Sequence, residues 1–233
     1  MTDAEDAPEG PWGPRDGAPL AAQAGPVAEP AKTPWPWTVL LLIGVCVAVW
    51  LAEVLAAPWL RDGALSMQAL RQGQAWTLFT HMWLHAGITH LVFNMMALAQ
   101  LGREIAPLFG ARLRGSLVFL GLFVVCGLAG GAAFVLINPT GVAVGASGAI
   151  CGIWGAGARL SGQGTLKDAL TGPAARGFVM MNVILIVLGL VLSGLKSVGI
   201  AWEAHLGGYL AGVFLIGPAL RLAHRRLVPV DRL

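Results

Sequence analysis

The stretch Asn138-Pro-Thr-Gly-Val-Ala-Val-Gly145-Ala-Ser147-Gly-Ala-Ile-Cys151-Gly-Ile-Trp-Gly155-Ala-Gly-Ala-Arg-Leu160 decides how the chain is read. Its first half carries Pro and Gly breakers. Its second half, Ser147 to Leu160, is an apolar run rich in Gly and Ala. A helix of about 14 residues rises about 21 Å, whereas a hydrocarbon core of about 30 Å takes about 20 residues. If its lower end sits at one membrane face, its upper end starts below the other. The chain leading into it must then dip inward without being helical, which is tolerated only where protein or a water-filled cavity satisfies the backbone. The stretch therefore predicts a cavity above a short helix, with Ser147 facing it.

The rest of the chain fits that reading. Of 233 residues, 56% are hydrophobic and 12% are charged, and the mean hydropathy is +0.72. A water-soluble domain carries about 25% charged residues, so this composition belongs to a polytopic membrane protein. Five further apolar runs flank the short one: Trp37 to Leu55, Ile88 to Leu108, Leu113 to Ile137, Phe178 to Ser193 and Trp202 to Leu222. The expected fold is an all-α polytopic membrane protein, a six-transmembrane-helix bundle whose fourth helix is short and lies below an outward-facing cavity.

Loop charge sets the expected orientation. Arg103, Arg112 and Arg114 lie at or beyond the end of the second run, and Arg159, Lys167 and Arg176 at or beyond that of the fourth. Arg221, Arg225, Arg226 and Arg232 lie at or beyond the end of the sixth, while the opposite loops hold Arg61, Arg71 and Lys196. Positive charge is retained on the cytoplasmic side, so both termini are expected in the cytoplasm and the cavity on the outer side. The first outer connection, Ala56 to Gly87, holds Trp59, Trp76 and Trp83 and is expected to lie partly in the membrane interface. Residues 1–33 read as a disordered cytoplasmic tail rich in Pro, Ala and Gly, without the basic and apolar regions of a signal peptide. Residues 34–224 form the expected membrane domain, and 225–233 a short cytoplasmic tail. Cys46, Cys126 and Cys151 all fall inside apolar runs and read as small buried residues, not as a disulfide framework or a metal site. No cluster of Lys and Arg suggests a nucleic-acid partner.

Two polar residues stand at the outer ends of glycine-lined helices. Ser147, in Gly145-Ala-Ser-Gly148, can cap the fourth helix or act as a nucleophile beside free N–H groups and the positive end of the helix dipole. His205 lies just inside the sixth run, where an ionisable residue is either interfacial or functional. Gly208 and Gly212 share the face of His205, and Cys151 and Gly155 that of Ser147, with Gly148 and Gly152 alongside. If the two small faces pack together, Ser147 and His205 meet, giving a serine activated by an imidazole. His90 and Asn94, four residues apart near the outer end of the second run, are candidate oxyanion donors; inter-helix hydrogen bonding is the plainer use of such an Asn.

His81-Met-Trp-Leu-His85-Ala-Gly-Ile-Thr-His90-Leu-Val-Phe-Asn94, then Gly-Ala-Ser-Gly, then Ala204-His-Leu-Gly-Gly-Tyr-Leu-Ala-Gly212, resemble in order and spacing the rhomboid family of intramembrane serine proteases. The resemblance runs from about Trp37 to Leu222. It implies a Ser147–His205 dyad without a third acid, and an oxyanion site made by the Ser147 N–H, His90 and Asn94. It implies GxxxG packing at Gly208 and Gly212, and loop support and water binding by His81 and His85. It implies transmembrane protein substrates met in the lipid bilayer, with no cofactor, no metal and no nucleic acid. Substrate access between the second and fifth helices, with Asn182, Met180 and Met181 as candidate lining residues and plain packing as the commoner use of a Met run, and location in a bacterial cell (inner) membrane are further expectations. Family members often carry Trp-Arg where this chain has Trp76-Thr77. They often carry an aromatic ring, stacked on the catalytic histidine, where this chain has Cys151. The acid/base pair that often closes the second helix is replaced by Ala106-Pro107-Leu108. A catalytically inactive relative that binds membrane helices is the alternative. A channel or transporter is a third reading, but the chain shows no internal repeat or charge-paired broken helices.

Overall fold

The computed structural model describes residues 35–55, 58–192 and 200–224. The expected tails at 1–33 and 225–233, the end of the fifth run at Ser193, Lys196 and the Trp59 side chain lie outside what is described. The six apolar runs are helices α1 (Trp37–Leu55), α4 (Ile88–Ile105), α5 (Leu113–Ile137), α6 (Ser147–Leu160), α8 (Pro173–Leu192) and α9 (Trp202–His224). Short helices α2 (Met67–Arg71) and α3 (Thr77–Thr80) lie in the first connection, and α7 (Leu166–Thr171) lies between α6 and α8. Among the described residues, four stretches are long and apolar enough to cross a membrane: Trp37–Leu55, Leu113–Ile137, Leu166–Val191 and Trp202–His224. The segment Thr77–Trp83 meets Ile88–Phe109 at 91°, and this bent pair is a fifth candidate. The chain is thus an all-α membrane protein.

Helices α1, α5 and α6 coincide with their expected runs at both ends, whereas α4 stops at Ile105, short of Leu108, α9 runs on past Leu222 to His224, and α8 differs at its start. Helix α8 starts at Pro173, five residues before the apolar run at Phe178. Proline suits the first turn of a helix, where its missing N–H costs nothing, and the helix runs on beyond its apolar part. The all-α expectation also missed a small sheet: β1 (Leu65–Ser66) pairs antiparallel with β2 (Val142–Ala143), Leu65 opposite Ala143. That ladder, with the Gly145 N–H donating to the His81 carbonyl at 2.8 Å, ties the first connection to the non-helical segment leading into α6. These bonds satisfy part of the segment's backbone within the protein. In the first connection, Trp83 packs edge-on to Phe79 and tilted against Phe123, while Trp76 is exposed.

Helix α6 is the hub, packed against α4, α5, α8 and α9 and buried along nearly its whole length. Between lipid-exposed helices there is no hydrophobic gain from association, so close van der Waals packing carries the load. Gly208 rests on the Gly148 carbonyl and Gly212 on the Gly152 carbonyl, with no room for a Cβ at either. Gly155 likewise abuts the Tyr209 carbonyl, and Gly130 of α5 lies under the Ala204 carbonyl. The faces expected to pack together do so, backbone against backbone. A groove of about 770 Å³ lies elsewhere, between apolar faces of α5 and α9 that include Leu117, Val125, Leu215 and Pro218.

Gly208→Val is expected to lower stability by about 3 kcal/mol, at the upper end of overpacking effects, because the contact it meets is backbone and cannot rotate away. Gly44→Ala, where open space surrounds the new methyl group, should be neutral or slightly stabilising. Thermal unfolding of the two variants in one detergent checks the contrast.

Candidate active site

Ser147 opens α6, but it does not cap it. The N-cap is Ala146, and no side chain caps the helix. The Ser147 hydroxyl turns across to α9, where its Oγ lies 2.9 Å from Nε2 of His205. Ser147 is half-buried and so remains reachable, while His205 is buried. The N–H groups that open an α-helix have no partner one turn back within the helix, and those of α6 lie beside that hydroxyl.

The opposite edge of the imidazole is held as well. Nδ1 of His205 lies 2.7 Å from Oδ1 of Asn182 on α8, whose Nδ2 donates to the Phe178 carbonyl at 2.9 Å. Asn182 had been expected to line a substrate route with Met180 and Met181. It is instead buried and turned into the site, while Met180 is exposed. Cys151 is buried in the cluster of Phe178, Tyr209 and Val213. Tyr209, one turn below His205, stacks on Phe178 at 4.2 Å and donates its hydroxyl to the Ala169 carbonyl at 2.7 Å. The aromatic contact therefore sits a turn below the imidazole, and a polar contact holds the imidazole itself.

On α4, His90 lies against Gly145, two residues before Ser147. Gly145 has φ +119°, and a Cβ there would stand 2.7 Å from Cε1 of His90. Nδ1 of His90 accepts from the Ala86 N–H at 3.3 Å, so in the neutral ring the proton sits on Nε2, which is free to donate. Asn94 is buried, and its Nδ2 donates to the His90 carbonyl at 2.9 Å. One bond leaves the second N–H of that amide available. His85 stands 5.3 Å from His90 between ring centroids, and Nδ1 of His81 donates to the Thr77 carbonyl at 2.9 Å. Among the described residues, Nε2 of His85 and Oδ1 of Asn94 are buried without a partner. Both suit small polar guests such as water.

Two acidic residues escaped the sequence reading. Glu53 is buried at the end of α1 and paired with Arg61 at 2.7 Å. Glu203, two residues before His205, is buried and accepts from Nδ2 of Asn138 at 3.2 Å. The three cysteines are free and buried.

The sequence that carries these motifs matches a known family. The Rhomboid domain profile covers residues 72–221, more than half of the chain. The chain belongs to the rhomboid family. RHOMBOID-like protein 5 of Arabidopsis thaliana is 34% identical over 165 residues, covering 68% of this chain and 48% of that protein. RHOMBOID-like protein 1 of the same plant is 32% identical over 180 residues, covering 72% of this chain and 42% of that protein. The Rhomboid protease GluP of Bacillus subtilis (strain 168) is 31% identical over 152 residues, covering 65% of this chain and 27% of that protein. The chain thus spans about half or less of the length of these relatives. It is an integral membrane protein of a family that includes proteases.

Gly145→Ala is expected to displace His90, both by the new methyl group and by the cost of holding a non-glycine residue in the left-handed half of backbone space. In the variant, the histidine ring signals assigned to His90 should shift in a nuclear magnetic resonance spectrum. Unchanged His90 signals would show that the ring does not rest on this glycine.

Proposed function

We propose that this rhomboid protein is an intramembrane serine endopeptidase, hydrolysing peptide bonds in or near transmembrane helices of membrane-protein substrates. The observation that carries the reading is the 2.9 Å contact between Ser147 Oγ and His205 Nε2 on two helices held together by glycines. In the proposed reaction, Ser147 Oγ attacks the scissile carbonyl carbon while His205 Nε2 takes its proton. The carbonyl oxygen becomes an oxyanion, met by the Ser147 backbone N–H, the free Nε2–H of His90 and the second N–H of Asn94. His205 then gives the proton to the leaving amine. Water, deprotonated by the same nitrogen, attacks the acyl-serine; the bond to Ser147 Oγ breaks, His205 returns the proton to that oxygen, and the acid is released.

The wider reading places the membrane domain at 34–224, with six spans, both termini in the cytoplasm and the site opening outward. The asymmetry of Arg and Lys between loops supports that orientation. The bent pair, with its segment lying across the top of α4, supports a first connection lodged in the outer interface. The named relatives come from a plant and a bacterium; they support a membrane location and no particular membrane.

A fluorophosphonate probe tests the chemistry. Wild-type protein should be labelled at Ser147, and both Ser147→Ala and His205→Ala should lose labelling. Equal labelling of wild type and Ser147→Ala would sink the protease reading, and an unlabelled wild type would favour a membrane-helix binding protein without catalysis. Removing one oxyanion donor costs about 10²–10³ in rate elsewhere, so Asn94→Ala should label more slowly by a factor of that order while keeping the same labelled residue.

A further inference from the structure

We propose that Asn182 is a third member of the site, a positioning residue that fixes the tautomer and the orientation of His205. The proposal rests on the Ser147–His205 reading for its consequence, and on hydrogen-bond chemistry alone for its geometry.

The case starts with the cost of the side chain. Asn182 is the one polar residue in the apolar part of α8, Phe178-Val-Met-Met-Asn-Val-Ile-Leu-Ile-Val-Leu. Its neighbours Val179, Met180, Val183 and Ile184 are more than half exposed along the outer face of the helix, whereas Asn182 is 8% exposed. A primary amide buried in apolar surroundings costs several kcal/mol, on the order of 2–7, unless it is hydrogen-bonded. Both ends of this amide are bonded, one to its own helix and one to α9.

The orientation of the amide follows from its first bond. A backbone carbonyl only accepts, so the group facing the Phe178 oxygen must be the NH₂. The group facing His205 is therefore the amide oxygen, which also only accepts. At 2.7 Å the hydrogen between them must come from the ring, so Nδ1 carries it. A neutral imidazole has one N–H, which leaves Nε2 with a lone pair directed at Ser147 Oγ, 2.9 Å away. The chain of donors thus runs one way: Ser147 O–H to Nε2, Nδ1–H to Asn182, Asn182 N–H to the Phe178 carbonyl. When Nε2 takes the serine proton, the Nδ1–H bond stays in place and strengthens, because its donor is then charged. The ring cannot swing away while it holds the proton.

This contact supplies what a stacked ring would otherwise supply. At the position four residues after Ser147 stands Cys151, too small to hold an imidazole by its face. The amide holds it by its edge. An amide also suits the place better than a carboxylate, since it adds no charge to an apolar helix.

Two measurements on the full-length protein in detergent test the role. In nitrogen nuclear magnetic resonance of histidine-labelled wild type, His205 should carry its proton on Nδ1, and Asn182→Leu should move population to Nε2. In inactivation kinetics with a fluorophosphonate, Asn182→Leu should lower the maximal inactivation rate about tenfold to a hundredfold, part of the roughly 10²–10⁴ that a general base contributes, with the half-saturating probe concentration unchanged. Asn182→Ala, which removes the acceptor without adding bulk, should behave alike and stands in if the Leu variant does not fold. A wild-type His205 protonated on Nε2, or wild-type inactivation rates in both variants, overturns the proposal. An Nδ1–H ring in a wild-type protein that no probe labels would count against the protease reading and leave the contact standing.

Discussion

Glycine-to-carbonyl contact between α6 and α9 is the constraint on which the remainder of the molecule depends. Two helices surrounded by apolar material gain little from burying more apolar surface, so their closeness has to come from the absence of side chains. Gly208 on Gly148 and Gly212 on Gly152 bring the two backbones together over two turns. The residues at the top of those faces, Ser147 and His205, are then within hydrogen-bond reach without any loop having to place them. Such a site sits on rigid elements, and its geometry is inherited from the packing below it.

Ser147 stands at the first position of α6, where the N–H groups and the side chain have no preceding helical turn over them. The backbone leading into it has to be satisfied in another way, and the small β1–β2 ladder and the bond from Gly145 to His81 do this. The same tie holds Gly145 against His90, so the candidate oxyanion donors on α4 are kept in step with the candidate nucleophile on α6. Burial of polar side chains is tolerated around the site because most of them are bonded in pairs, with Asn94 on His90 and Asn182 on Phe178 and His205.

Much of this was legible from residue order. Apolar runs mark helices well, and the ends of α1, α5 and α6 fall where the runs start and stop. Helix α8 shows the limit of that signal: apolarity marks the part of a helix set in apolar surroundings, not its hydrogen-bonded length, so Pro173 to Gly177 read as loop. The two-residue strands were illegible for a different reason. A ladder of two residues has no periodicity, and its partners lie far apart in sequence.

Sequence by itself determined the six apolar runs, the shortness of the fourth, and the glycine faces that put Ser147 and His205 on facing helices. Those features are local, since period, length and side-chain size can be read one segment at a time. Tertiary structure alone decided what holds His205. A uniformly apolar helix such as α8 carries little amphipathic signal to say which way it is rotated, so nothing local distinguishes an Asn182 facing a substrate route from one facing the imidazole. Packing of α8 against α6 and α7 sets that rotation. It turns an amide oxygen onto Nδ1 of a histidine 23 residues away, and so fills the role that the small side chain of Cys151 left open.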